Sequence, residues 1–261
     1  MMRRNVPVTT RLLWLGAAFC CALVVVVLPG RAGQVVEEYH REWAQVPYDP
    51  ELAVLYHGDT EKMEVCLTID DGPNPDTTRG LLYILRKKGV RATFFLLGRR
   101  AEEHPDLVRA IVADGHEVGN HTMEHNRLSG LEPQEIMNEL ELGRDAIQRA
   151  AEVRVTLFRP PGGSMTEDVY RVAGELGYTT VLWTDTANDW YRQPPSHIVE
   201  RIVSRVRPGS IIVIHDGKPD ILDALPKIID ALRERGYTFK MAGEWAMQCK
   251  YASAGAVGGC D

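Results

Sequence analysis

From residue 62 to residue 240, short apolar runs alternate with amphipathic stretches of helical period, and no other feature limits the fold so strongly. Val65–Ile69, Ala92–Leu97, Glu117–Asn120, Val155–Phe158, Thr179–Trp183, Ser210–His215 and Tyr237–Lys240 read as strands. Between them Thr77–Lys88, Pro105–Asp114, Glu132–Ala151, Glu167–Leu176, Ser196–Val206 and Ile221–Arg235 read as helices. Pro105 opens one of these at a first turn, where a missing N–H is harmless. Strand–helix alternation at this spacing implies parallel strands joined by helical crossovers. The predicted class is α/β: a distorted or incomplete (β/α) TIM-like barrel forming a single catalytic domain, rather than a three-layer sandwich.

The chain start obeys different rules. Arg3, Arg4 and Arg11 precede an unbroken apolar run, Leu12–Leu28, which Pro29-Gly30 closes. A basic flank before such a run reads as a signal peptide or an N-terminal membrane anchor over residues 1–32. As a helix the run rises about 25 Å, slightly less than a bilayer core, yet it is longer than the usual cleaved segment. Ala32 offers a cleavage point; with cleavage or retention, the remainder is placed outside the cytoplasm. Residues 33–60, with Pro47 and Pro50, read as a linker, 61–245 as the catalytic domain and 246–261 as a tail. Five cysteines in 261 residues are too few for a disulfide scaffold. Cys20 and Cys21 fill the apolar run, Cys66 lies in a strand, and Cys249 and Cys260 share the tail, where they can pair.

Charge narrows the partners. The chain carries 30 Lys+Arg against 36 Asp+Glu; without the four arginines of residues 1–32 the remainder has a net charge of −10. Such a domain has no electrostatic footprint for DNA or RNA, and a neutral or cationic substrate suits it better. A membrane would be met only through the N-terminal segment.

Polar residues gather where the predicted strands end. Asp70 and Asp71 follow the first strand, His121 the third and Arg159 the fourth, Asp189 trails the fifth, and His215 closes the sixth. In a parallel α/β architecture those ends share the face on which active sites are built. Each residue alone has a plainer reading. Asp70-Asp71-Gly72-Pro73-Asn74-Pro75 is turn-forming, His121 and His125 can be surface histidines, Arg159 can sit on a rigid Pro160-Pro161 turn, and His215 can be a satisfied core histidine. Convergence from five strands argues against all of these at once. An i, i+4 spacing on a helical turn would put His121 and His125 on one side, and two imidazoles with one carboxylate make a ligand set for Zn²⁺ or a similar divalent ion.

The residue types divide the chemistry of amide hydrolysis. A divalent ion acidifies water and polarises a carbonyl, a spare carboxylate takes the water's proton, and a distal histidine protonates the leaving amine. Asp71 serves as ligand and Asp70 as base. Arg159 would hold Asp70 ionised, Asp189 would keep His215 protonated, and a backbone N–H after Arg159 can face the oxyanion.

Thr68-Ile69-Asp70-Asp71-Gly72-Pro73 and His121-Thr122-Met123-Glu124-His125 resemble the first two motifs, TFDDGP and H-[ST]-x-x-H, of the polysaccharide deacetylases, family 4 of the carbohydrate esterases (NodB homology). Ala92-Thr93-Phe94-Phe95 and Gly115–Asn120 are also similar to family segments. Arg159-Pro160-Pro161, Asp189-Trp190 and Val213-Ile214-His215-Asp216 resemble the third to fifth motifs. The resemblance spans about Val65 to Tyr237. It implies a metal-dependent N-deacetylase of a glycan, with Asp70 as base, His215 as acid, Arg159 and Asp189 tuning them, and Asp71, His121 and His125 holding the metal.

Two departures bear on substrate. Gly162-Gly163 stands where the family usually has an aromatic residue, and Thr186 where the fourth motif usually has an acid, with Asp185 displaced by one. A groove lacking one aromatic wall can admit a branched or lactyl-bearing sugar such as that of peptidoglycan. Other readings are an amidohydrolase of the same fold acting on a non-sugar N-acyl group or cyclic imide, a silent carbohydrate-binding module, and a non-haem iron oxygenase. Retention of both Asp70 and His215 argues against the last two.

Overall fold

The computed structural model describes residues 47–253. Its strands are β1 (Tyr48–Asp49), β2 (Val54–Leu55), β3 (Glu64–Gly72), β4 (Thr93–Leu96), β5 (Glu117–Asn120), β6 (Leu157–Phe158), β7 (Thr179–Val181), β8 (Asp185–Thr186), β9 (Ile211–His215) and β10 (Thr238–Lys240). The helices are α1 (Thr78–Lys88), α2 (Gly98–Glu103), α3 (Pro105–Ala113), α4 (Pro133–Ala151), α5 (Glu167–Glu175), α6 (Pro195–Arg205), α7 (Pro219–Glu234) and α8 (Ala242–Ser253). The signal or anchor reading of residues 1–32, Cys20, Cys21 and Cys260 lie outside the described residues, as does the Cys249–Cys260 pairing.

Neighbouring strands run β1-β2-β7-β6-β5-β4-β3-β9-β8, with β10 beside the start of β3. The β1–β2 hairpin is antiparallel and the other pairings are parallel. Among the described residues no pairing joins β1 to β8, so the curled sheet is a barrel left open between those edges. This is the incomplete (β/α) barrel that the alternation predicts.

Period-two alternation gives the sheet two cores. Val65, Leu67 and Ile69 of β3, and Ile212 and Ile214 of β9, pack outward under the helices with Leu81, Leu85, Ile228 and Leu232. Cys66, Phe95, Leu157, Val181 and Ile211 face inward, where Trp245, Ala246 and Cys249 of α8 close one end. α8 is tied down at its start: Ala242 N–H donates to Thr93 Oγ1 and Gly243 N–H to Glu117 Oε2, each at 2.9 Å.

Five elements escape the sequence reading in whole or in part. β1 and β2 arise inside the expected linker; two-residue strands beside Pro47 and Pro50 carry no readable period, and the Leu55 carbonyl accepts from Leu182 N–H, a partner far away in sequence. α2 (GRRAEE) has no apolar face to read. β8 is too short to read, and α8 begins before the expected tail and runs into it as far as Ser253, anchored by Trp245.

Candidate active site

The inward face of β3 and β9 supplies the first two groups. Asp70 and His215 are register partners on these adjacent strands, at their carboxyl ends. In a regular strand Asp71 would point to the opposite face. The β3–β4 register instead shifts between Asp70 and Gly72, and Asp71 adopts φ +69°. The extra residue re-aims the strand, so adjacent carboxylates reach one pocket. The turn demands Gly72, because a Cβ there would lie 2.9 Å from Asp216 Oδ2.

Beside them stand the two histidines, and here the helical-turn expectation fails. Residues 121–125 form an irregular loop in which Thr122 (φ +73°) and His125 (φ +64°) have left-handed backbones. The imidazoles still meet, with ring centroids 5.1 Å apart. His121 Nδ1 lies 2.7 Å from the Arg159 carbonyl oxygen. A carbonyl only accepts, so Nδ1 carries the proton and Nε2 presents its lone pair inward. Nε2 of His121 and of His125 lie 3.5 and 3.2 Å from Asp71 Oδ1.

That oxygen is the one buried side-chain polar atom without a hydrogen-bond partner among the described residues. The three donor atoms of Asp71, His121 and His125 lie within 4.8 Å of one another. An orphaned carboxylate oxygen facing two imidazole nitrogens is an arrangement a divalent cation satisfies, and the donor set suits zinc. Burial works to raise the Asp71 carboxyl, but His125, His121 and His215 outweigh it and hold the group below the usual carboxylate range. Burial pushes His121 down, towards the neutral ligand form. The Asp71 carboxylate beside it raises His125 against the pull of burial.

Two buried ion pairs flank this group. Arg159 follows β6 and is fully buried; its Nη1 donates to Asp70 Oδ1 at 2.7 Å and to Thr68 Oγ1 at 2.6 Å. Its Nε and Nη2 donate to the Val181 and Leu182 carbonyls at 3.0 Å, and the guanidinium lies 4.2 Å from the Phe95 ring centroid. Asp189 follows β8 rather than the fifth predicted strand. One of its oxygens accepts the His215 backbone N–H and the other faces His215 Nδ1, both at 2.7 Å. Burial pulls the His215 imidazolium down, but Asp189, with Asp70 and Asp71, outweighs it and leaves the pKa above the ordinary histidine value. All seven residues singled out in the sequence therefore share one face.

Three further contributors, Thr68, Asp216 and Trp190, lie within the quoted motifs although no role for them is readable from the sequence. Thr68 points inward two residues before Asp70 and links Arg159 to the Ile212 carbonyl. Period two from Asp70 could have found it. Asp216 accepts from Thr77 Oγ1, Thr78 Oγ1 and Gly217 N–H, and so ties the β9–α7 turn to the start of α1. Trp190 stands at the rim with its ring centroid 5.9 Å from that of His215, and Tyr191 packs against it.

Comparison with known proteins agrees with this geometry. Residues 57–181 match the polysaccharide deacetylase family model. A peptidoglycan-N-acetylglucosamine deacetylase of Bacillus cereus is 36% identical over 185 residues, covering 69% of this chain and 86% of the relative. A chitooligosaccharide deacetylase of a Bradyrhizobium species is 37% identical over 188 residues, covering 66% and 86%. Among solved structures, a carbohydrate esterase family 4 pseudoenzyme from Bacillus anthracis superposes with a TM-score of 0.71 at 32% identity, covering 74% of this chain and 68% of that one. The chain belongs to the polysaccharide deacetylase family.

Proposed function

We propose that the protein hydrolyses the N-acetyl group of an amino-sugar glycan of peptidoglycan or chitin type, releasing acetate outside the cytoplasm. The observation that carries this reading is the orphaned Asp71 Oδ1 set between two imidazole Nε2 atoms, with a second carboxylate beside it. A divalent ion held by Asp71, His121 and His125, zinc by preference, would acidify a water and polarise the acyl carbonyl.

The remaining work falls to the chain itself. Asp70 has one oxygen fixed by Arg159, while the other lies 3.9 Å from His121 Nε2, on the metal side. It therefore faces the water and takes its proton as general base. Asp189 fixes Nδ1–H of His215, which leaves Nε2–H to protonate the departing amine. Water adds to the acyl carbon, the C–N bond breaks, and the amine keeps the proton delivered by His215. Because Asp70 and His215 are register partners, base and acid face each other across a single strand spacing.

The rim suits a sugar. Trp190 and Tyr191 expose 47% and 55% of their surface beside His215, a platform for the C–H face of a pyranose. Gly162 and Gly163 leave the Arg159 side without an aromatic wall, room that a lactyl-bearing residue can use. The basic flank and apolar run of residues 1–32 support delivery to the cell envelope, where such glycans lie. Among the described residues no helix is long and apolar enough to cross a membrane.

The test is acetate release by purified protein with zinc restored, on peptidoglycan, chitooligosaccharides and acetylxylan. Release from the two amino-sugar glycans is expected. Release from acetylxylan alone, or from none, would overturn the assignment. Turnover of chitooligosaccharides without peptidoglycan would remove the lactyl-sugar reading.

A further inference from the structure

The His121–His125 loop has no regular structure to satisfy its backbone, so the partners of its polar groups can be traced one by one. Its carbonyls turn to α2: Thr122 C=O accepts from Gly98 N–H at 2.9 Å and Met123 C=O from Arg99 N–H at 3.1 Å. Thr122 N–H donates to Asn120 Oδ1 at 3.0 Å, and the N–H groups of Met123 and Glu124 turn to one side chain on α4. Glu139 Oε2 accepts from Met123 N–H at 3.0 Å and Glu124 N–H at 2.9 Å, while Oε1 accepts from Asn126 Nδ2 at 2.7 Å. One carboxylate thus gathers three donors from the segment that bears both histidines.

α4 approaches closely enough for this because position 143 has no side chain. A Cβ there would fall 2.6 Å from Asn120 Oδ1 and 2.8 Å from the Thr122 carbonyl carbon. His121 is oriented independently by the Arg159 carbonyl. His125 differs: its side chain is 45% exposed, and its backbone N–H donates to Thr122 Oγ1 at 3.0 Å. Where its ring points follows from the left-handed backbone at 122 and 125, the conformation that the Glu139 contacts hold.

We propose that Glu139 is a positioning residue for His125 and thereby sets the cation affinity of the site; this rests on the reading that Asp71, His121 and His125 hold a divalent ion. Glu139 acts through the loop backbone and touches neither ligand ring. Supporting groups of this kind typically change metal affinity 10- to 100-fold when removed.

The experiment measures Zn²⁺ affinity of the full chain by chelator competition, and the melting temperature of the zinc-free protein, for wild type, Glu139→Ala, Glu139→Gln, Asp71→Ala and His125→Ala. Glu139→Ala is expected to bind zinc roughly 10- to 100-fold more weakly, with the zinc-free melting temperature little changed. Glu139→Gln is expected to fall between it and wild type. Its amide oxygen still accepts from two N–H groups, but its NH₂ cannot accept from Asn126. Unchanged affinity in Glu139→Ala, with affinity lost in Asp71→Ala, would overturn this inference alone. Affinity losses that follow zinc-free melting across both Glu139 variants would make the role merely structural and also overturn it. No zinc binding by wild type, or undiminished binding by Asp71→Ala and His125→Ala, would remove the metal site itself and the inference with it.

Discussion

Replacing Asp70 by Asn separates the two adjacent carboxylates by function. The amide keeps the shape of Asp70, and its oxygen can still accept from Arg159 Nη1, now 2.7 Å from the carboxylate. What is lost is the charge of a buried pair. Removing one partner of such a pair costs roughly 3–5 kcal/mol. Arg159 keeps its bonds to Val181, Leu182 and Thr68, so the loss should lie near the lower end, about 3 kcal/mol, and a domain with roughly 5–15 kcal/mol of stability remains folded. Turnover should fall much further. A positioned general base contributes roughly 10²- to 10⁴-fold, or about 3–5 kcal/mol of barrier. Zinc should remain stoichiometric at saturation, because Asp71 Oδ1 lies closer to His121 Nε2 (3.5 Å) than does the nearer Asp70 oxygen (3.9 Å). Acetate release, zinc content and denaturant unfolding measure the three effects. Turnover within tenfold of wild type, or loss of zinc from Asp70→Asn while Asp71→Asn retains it, would refute the division of roles.

Asp189→Asn removes the nearest charge that raises His215 and leaves only Asp70 and Asp71 to oppose burial. The acid must be protonated to work, so the alkaline limb of the kcat profile should move to lower pH; an unmoved limb would exclude His215 as the acid. His116 is buried, its Nδ1 accepts Ala92 N–H at 3.1 Å, and burial pulls its pKa down to about 4. The folded state therefore binds its proton more weakly than the unfolded chain. Its contribution is full above about pH 6.5 and is lost as pH falls towards 4, by up to about 3 kcal/mol. Urea unfolding at several pH values should show this slope in wild type and a shallower one in His116→Asn. Gly143→Ala drives a Cβ into Asn120 and Thr122 and should cost about 1–3 kcal/mol with weakened zinc binding; unchanged melting and affinity would show that the α4–loop contact can give.

Legibility in the sequence tracked the range of the forces involved. Strands such as Val65–Ile69 and Ile211–Ile214 announce themselves because each buries a continuous apolar run, and α4 because Ile136, Leu140 and Ile147 recur at helical spacing. The seven polar residues were visible because parallel strands deliver their ends to one face. The His121–His125 geometry was misread, since spacing cannot distinguish a helical turn from a loop held by distant acceptors. Glu139 and the Gly98 and Arg99 N–H groups that hold that loop lie on other elements. The β3 bulge was equally hidden, although Asp-Asp-Gly contains the residue that permits it. Trp245 gives no sign of burial in the sequence, because that burial depends on a barrel interior that only the assembled sheet creates.

Fold likeness by itself does not decide activity, as the match to a structure described as a pseudoenzyme makes plain. The inner face of the barrel supplies the deciding argument. Arg159 is fully buried on an apolar ring, Asp70 and Asp189 are 2% and 3% exposed, and Asp71 leaves a buried oxygen unpaired. A fold shaped for stability alone gains little from such groups, because well-packed apolar residues of similar volume serve as well as a buried ion pair or better. An orphaned carboxylate oxygen is worse still, since it is desolvated without return. These costs become intelligible when the site holds a cation and moves protons. On the proposed reading Asp71 would gain its missing partner, Asp70 would be a base kept apart from the ligands by Arg159, and His215 would be an acid kept charged by Asp189. A variant with apolar replacements at Asp70, Arg159 and Asp71 should therefore approach wild-type stability while losing zinc and turnover together, measured by denaturant unfolding and zinc content. Collapse of the fold would instead assign these residues to structure.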